Sequence, residues 1–539
     1  MAQSEQRTIL NQKWYLYLTE FFAGMSVMAA ELGASRLLAP YFSSSQIVWT
    51  IIIGTIMIAM ALGNVWGGRA ADRNPDPDRL YARMLVATVW IAAIPFLGKL
   101  VILGISALLV VTVSTNFLIW AAFLSCMAVF VYPLFLLGTV TPSLVKFTVS
   151  SLDSSGRTVG MLGAANTIGS IIGTFVPTFL SIPAVGTAAT FVIFSGILLI
   201  LAAVYFISVK RRVIGVVTAA VLFACASVAA LIPGFAFWDH SLTLEDESVY
   251  NYLQVKEDDS RVVLSTNVLF GVQSVYIKND TLTGMYYDYA LAAPMMAKQR
   301  GSLLILGMGT GTCATQCERY YPGMEIEGVE IDAKITDLAH RFFSLDSSIP
   351  VTEYDGRAFL AGTDKKYDVI MVDAYQDITI PFQMSSIEFF TAVRSHLNEG
   401  GVMAVNMNMI SGREDGINAY LQDTIASVFG NVYTVDVPGT TNRELFASQD
   451  ADMLLRMREG TELLRNTDSL DAAGADFCVL MEKAADALTR YQAGSRILTD
   501  DKAPVELLGM QAIDDMISSE LAYYKNRFAE DGIAGIIGG

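Results

Sequence analysis

The sequence predicts two objects in one chain: a multi-pass α-helical membrane domain, then an α/β Rossmann-like domain entered through a small β-domain. Three observations carry this. Of the 539 residues, 53% are hydrophobic and only 17% charged, whereas soluble domains carry about 25% charged residues. The charges are also segregated. Residues 1–237 hold 13 Lys and Arg against 7 Asp and Glu, leaving 23 against 46 for the remainder, so a net of +6 precedes a net of −23. Finally, the pattern of apolar residues changes from long runs to short strand-like and helix-like segments in alternation.

The first object spans 1–237. A span needs about 20 mostly apolar residues, and residues 14–35, 47–67, 117–140, 158–181, 188–208 and 213–233 qualify. The stretch 82–113 is too long for one ordinary span and is interrupted by PFLGK at 95–99, so it reads as two short spans, giving about eight in all. Orientation follows Lys and Arg near span ends. Arg7 and Lys13 precede the first span and GGRAADRNPDPDR follows the second, which places both in the cytoplasm. Eight crossings then return the second half to the cytoplasm, although KRR at 210–212 would lie outside. The N-terminus MAQSEQRTILNQK lacks the apolar core and cleavage site of a signal peptide, so the first run is expected to stay as a span. Glu20 and Glu31 fall within it, with Arg36 beyond, and charges at membrane depth are candidates for ligand handling or transport. GMLGAANTIGSIIGTF, 160–175, spaces small residues as tightly packed helices do.

Residues 238–298 come next. ESVYNYLQVKEDDSRVVLSTNVLFGVQSVYI alternates apolar and polar residues around a turn-forming EDDS, as antiparallel hairpin strands do. Residues 299–539 then alternate strands (SLLILGMG, EIEGVEID, YDVIMVDAY, VMAVNMN) with helices, which implies βαβ units and a doubly wound parallel sheet. Ligands of such sheets bind beyond the carboxyl ends of the strands. Four successive strand ends deliver Gly307, Gly309 and Gly311, then Glu330, then Asp355 followed by Gly356, then Asp373. The glycines permit a tight turn and close backbone approach to a ligand, and the acid about twenty residues on is placed for a ribose diol. The acidic second half repels nucleic acid. Five cysteines without a Cys-x-x-Cys pair, and three histidines, give no metal-site spacing, and Cys313 and Cys317 read as packing residues.

These residues carry a family resemblance. ESVYNYLQV, GVQS, LGMGTGT, VEID, YDGRAFL, VDAY and LTDDKAPVE stand in the order of the spermidine synthase (polyamine aminopropyltransferase) family, and the whole chain is similar to its membrane-fused bacterial members. The resemblance implies a methyltransferase-type fold and an S-adenosylmethionine or decarboxylated S-adenosylmethionine donor, with no metal. It implies that Glu330 holds the ribose, Asp355 the adenine amine and Gln273 the donor's surroundings, and that Asp373 takes a proton from the attacking amine. Tyr287, Gln376, Asp377 and the acids Asp500 and Asp501 are the candidates for the amine. The chain departs from the family in having Thr310 where the glycine loop carries an aspartate, Gln376 for a second aspartate, and TGMYYDY for Asp-Glu-x-x-Tyr-His-Glu. The amine shell is therefore altered more than the donor shell. The expected enzyme is a membrane-embedded transferase, with methyl transfer, cleavage of S-adenosylmethionine, or amine transport as alternatives. Its expected partners are a small amine and the lipid bilayer, with a homodimer left open.

Overall fold

The computed structural model describes residues 9, 12–42, 44–113, 116–148, 155–230, 234–268, 272–280, 282–374, 380–408, 415–467 and 470–531. It divides into two compact units, Met1–Trp238 and Asp239–Gly539.

Among its described residues the regular elements of the first unit are helices: α1 (Lys13–Phe42), α2 (Gln46–Arg73), α3 (Pro77–Ala93), α4 (Lys99–Thr112), α5 (Phe117–Gly138), α6 (Val140–Thr148), α7 (Ser155–Val176), α8 (Ile182–Val209) and α9 (Val213–Ala230). By length and composition, six segments could cross a membrane: Lys13–Phe42, Gln46–Arg73, Pro77–Leu109, Phe117–Thr148, Gly156–Val209 and Val213–Ala230. This corrects the reading of 82–113 as two spans. α3 and α4 are joined by a π-turn at Ile94–Gly98 and form one continuous run, because Pro95 sits at the start of that turn, where its missing N–H costs little. The fifth segment has 54 residues, about 80 Å if straight, but Gly186 leaves helical geometry (φ 81°) and divides it. The expected eight lengths are therefore seven.

The glycine-rich stretch lets two helix backbones meet. A Cβ on Gly169 would fall 1.9 Å from the Phe21 carbonyl oxygen, and one on Gly173 would fall 2.2 Å from that of Met25, so α7 lies directly against α1. Glu20 is fully buried near this crossing. Its Oε1 accepts hydrogen bonds from Thr141 (2.5 Å) and Asn166 (2.9 Å), and Oε2 has no partner among the described residues. Glu31 is partly buried.

The second unit holds two sheets. β1 (Leu242–Glu247), β2 (Tyr252–Glu257), β3 (Arg261–Ser265) and β4 (Ser274–Ile277) form an antiparallel meander, a four-stranded sheet where hairpins are expected from the sequence. Its inner face, Leu253, Val255, Val262 and Leu264, packs on Ile335, Leu338 and Phe343 of the α/β part, so the two share a core. The larger sheet comprises β5 (Ser302–Leu306), β6 (Glu325–Glu330), β7 (Val351–Glu353), β8 (Tyr367–Val372), β9 (Leu397–Met407), β10 (Asn431–Asp436), β11 (Arg443–Ser448) and β12 (Thr489–Arg490), in the order β12-β10-β11-β9-β8-β5-β6-β7. The pairs from β7 to β9 are parallel, as expected, whereas β11 pairs antiparallel with both β9 and β10. A short connection, Val437–Asn442, turns β10 straight back into β11 and forces that reversal. The order reverses between β5 and β8, which opens the crevice at their carboxyl ends.

Candidate active site

The glycine loop follows β5. Gly307, Gly309 and Gly311 all have positive φ (86°, 55° and 78°). The requirement is strongest at Gly307, where a Cβ would meet the Asp373 carbonyl oxygen at 2.5 Å and Ala374 Cα at 2.6 Å. Only glycine lets the ends of β5 and β8 come that close. Glu330, at the end of β6, accepts from Gly309 N (2.8 Å) through Oε2 and from Asp332 N (3.0 Å) through Oε1. Burial holds its carboxyl above the usual range in spite of these two backbone donors. Each carboxylate oxygen keeps a further lone pair for a ligand hydroxyl. Asp355 caps the helix Gly356–Gly362 by accepting from Ala358 N through Oδ1 (2.8 Å).

Asp373 stands at the end of β8, at the switch point. Tyr286 donates its phenol to Oδ2 (2.6 Å) and Asn406 of β9 donates to Oδ1 (2.9 Å); Asn406 is itself fixed by Asn442 (2.9 Å). Burial pushes the Asp373 carboxyl up to about 6, against the pull of the two donors. Burial, and then the Asp373 carboxylate, hold the Tyr286 phenol well above its ordinary value, so it remains a donor.

Gln273, Tyr287, Gly307, Gly309, Glu330, Asp355, Gly356 and Asp373 line one cavity of about 1090 Å³. Gly311 shapes the loop just behind it, and a Cβ there would strike Leu345. Tyr287 lines the cavity and its hydroxyl donates to the Gln273 carbonyl (2.6 Å), and the hydroxyl that meets Asp373 is that of the neighbouring Tyr286. Asp500 and Asp501 do not line the cavity. Asp500 receives both Arg357 guanidinium nitrogens (2.7 and 2.6 Å) and the Ser386 hydroxyl (2.6 Å), and its hydrogen bonds with Arg357 hold it down at about 2. Asp501 is exposed. Gln376 and Asp377 lie outside the described residues. Asp288 organises a turn, accepting from Thr283 N, Gly284 N and Gln316. Thr310 is buried away from the cavity, and Cys313 and Cys317 are free thiols.

The sequence reading missed Glu444. It lies on β11, directly across from Asn406, on the same face as Asn442, 1% exposed and lining the cavity. Its Oε1 has no hydrogen-bond partner among the described residues. Burial first, then the Asp373 carboxylate, raise its carboxyl well above the usual range. A signal was present: Asn442 and Glu444 are polar at period two beside the apolar run LFA. Among its described lining residues the cavity thus carries four carboxyl groups, Glu330, Asp355, Asp373 and Glu444, and no Lys, Arg or His. Such a wall favours a cationic guest.

Comparison with known proteins agrees. Residues 285–448 match the Spermine/spermidine synthase domain. The chain is 55% identical over 350 residues to a probable polyamine aminopropyl transferase of Bifidobacterium longum (strain NCC 2705), covering 62% of this chain and 77% of that relative. It is 26% identical over 298 residues to the polyamine aminopropyltransferase of Vibrio vulnificus (strain CMCP6), covering 52% and 96%. A solved structure, a probable spermidine synthase from Corynebacterium glutamicum ATCC 13032, aligns over 47% of this chain and 98% of its own with 17% identity and a TM-score of 0.35. The domain match and the close Bifidobacterium relative, joined to a glycine loop and strand-end acids around one cavity, establish that this chain is a transferase belonging to the spermine/spermidine synthase family.

Proposed function

We propose that the chain is a membrane-embedded aminopropyltransferase that moves an aminopropyl group from decarboxylated S-adenosylmethionine to a small amine, with Asp373 orienting and deprotonating the attacking nitrogen. One observation carries the reading: a cavity whose described lining has four carboxyl groups and no basic side chain, with Asp373 held between Tyr286 and Asn406. The residues fit this donor. Glu330 is fixed for a ribose diol by two backbone amides, Asp355 sits one strand further out for the adenine amine, and the acidic walls suit a sulfonium. An intact S-adenosylmethionine would bring its own carboxylate into a cavity with no basic side chain among its described lining residues, which favours the decarboxylated form.

When bound, the sulfonium supplies a carbon open to displacement. Asp373, as carboxylate, accepts a hydrogen bond from the acceptor ammonium and takes its proton, freeing the lone pair. The nitrogen–carbon bond forms as the carbon–sulfur bond breaks, and methylthioadenosine leaves with the sulfur electron pair. Tyr286 and Asn406 hold the carboxylate in place through both oxygens, so the proton is received without a search of rotamers. Glu444 adds a second carboxyl group to the cavity wall near Asp373.

Mass spectrometry of the full chain with decarboxylated S-adenosylmethionine and a diamine is expected to find methylthioadenosine and an amine longer by one aminopropyl group. S-adenosylhomocysteine and a methylated amine would replace this reading with methyl transfer, which the loss of the loop aspartate at Thr310 favours. In calorimetry, Asp355→Asn is expected to weaken methylthioadenosine by about tenfold, the cost of one hydrogen bond to a charged group; unchanged binding would remove Asp355 from the site.

The membrane reading rests on the six apolar segments. The seven lengths put the two ends of the first unit on opposite sides of the membrane, so a cytoplasmic second unit requires the N-terminal end outside, against the side that Arg7 and Lys13 suggest. A donor made in the cytosol requires the cytoplasmic face, so green fluorescent protein fused after Gly539 is expected to fluoresce. Alkaline phosphatase activity from that position would put the donor out of reach.

A further inference from the structure

The first unit carries two adjoining cavities that the transferase reading does not use. One, of about 590 Å³, opens among the ends of α2, α3 and α6 and the turn after α8. Five arginines line it, Arg69, Arg73, Arg79, Arg83 and Arg212, against a single carboxylate, Asp76, which lies 3.7 Å from Arg79. The other acids nearby are engaged: Asp72 with Lys146 (2.9 Å), and Asp78 with Tyr205 (2.5 Å) and Arg211 (3.5 Å). Arg83 is held in place by the Arg79 carbonyl and the Ser143 hydroxyl (3.2 Å each) and lies over the Trp66 ring. The side chains of Arg69, Arg73 and Arg212 have no ion-pair or hydrogen-bond partner among the described residues. Three unpaired guanidinium forks around one space suit a phosphate, whose oxygens they can bridge in pairs.

The second cavity, of about 840 Å³, is walled by apolar side chains of α3, α4, α5 and α9, among them Val86, Val89, Leu97, Val101 and Leu222. It shares Ala82 and Arg212 with the first. From Ala82 to Val101 the helical run climbs about 28 Å, close to the ~30 Å of a bilayer's hydrocarbon core. A basic seat continuous with a long apolar groove has the two-part shape of a lipid.

We propose that these cavities bind one anionic phospholipid, its phosphate among Arg69, Arg73 and Arg212 and an acyl chain in the groove. Basic pockets between helices at a membrane face are suited to such headgroups. The inference rests on the membrane reading above. A free phosphate would use the basic seat alone and leave the groove without a role.

Native mass spectrometry of the full chain in detergent tests this, with phosphatidylglycerol, phosphatidylcholine or inorganic phosphate added. Phosphatidylglycerol is expected to remain bound at collision energies that strip phosphatidylcholine. Arg69→Gln with Arg73→Gln is expected to lower its retention about tenfold, the loss of roughly 1.4 kcal/mol. Gly215→Leu, at a groove-lining position where a Cβ would meet only Arg212 Cβ, at 4.0 Å, is expected to lower it as well. Equal retention of the two lipids, retention within twofold in the double variant, or displacement of phosphatidylglycerol by millimolar inorganic phosphate would overturn the proposal. A carbonate wash separates the two readings: a chain that stays with membranes yet shows no headgroup preference fails only here, and a chain released by the wash fails as a membrane protein.

Discussion

Asp373→Asn is expected to lower kcat by roughly a hundredfold to ten-thousandfold, the range of a lost general base, while leaving methylthioadenosine binding within about threefold, since the amide keeps the shape and can still meet Asn406 after a flip. Steady-state kinetics and calorimetry on the same preparation check both halves. A variant that lost donor binding as severely as turnover would place Asp373 in the donor seat and not at the acceptor. The wild-type pH profile carries the same information. With the carboxyl pushed up to about 6 in the free enzyme, kcat/KM is expected to rise as pH climbs through that region, because the working form is the carboxylate. The linkage sign is opposite for stability: a carboxyl raised above its unfolded value stabilises the fold below pH 4 and loses that contribution as pH rises through about 6. Activity and stability should therefore move in opposite directions across that window. Tyr286→Phe removes one of the two donors that oppose burial and should displace the rising limb to higher pH.

Gly307→Ala is the second large effect. The added Cβ meets backbone atoms of Asp373 and Ala374 at 2.5 to 2.7 Å, and the residue's φ of 86° is one that alanine adopts only under strain. Neither strand end can yield without moving Asp373 or the loop. The combined cost is on the order of 3 kcal/mol or more, and donor affinity is expected to fall over a hundredfold with a lowered Tm. An intact donor affinity would show that the loop bends elsewhere and that the contact between β5 and β8 does not set the site.

Much of the second unit was legible because its signals are local. The run SLLILGMGTGT declares a buried strand and a turn that only glycine makes, and the acids at 330, 355 and 373 each close a strand, so topology alone brings them together. What was illegible depends on residues far apart in the chain. Asp500 looked like surplus charge for an amine until Arg357, 143 positions away, claimed both its oxygens. Glu444 reaches the cavity through an antiparallel strand whose register against β9 no local pattern specifies. Tyr286 meets Asp373 across 87 positions of the chain, a contact no local pattern specifies. In the first unit, apolar length showed where helices run. It could not show that a π-turn would carry the chain through Ile94–Gly98 without a break.

On the proposed reaction, the absence of a basic side chain among the cavity's described lining residues also affects how a turnover ends. A sulfonium that has given up its alkyl group is a neutral thioether, so the spent nucleoside faces the same acidic walls with its attraction to them gone. The lengthened amine keeps its charge but no longer has a partner to react with. On that reading the chemistry weakens the hold on one product at the moment it is made.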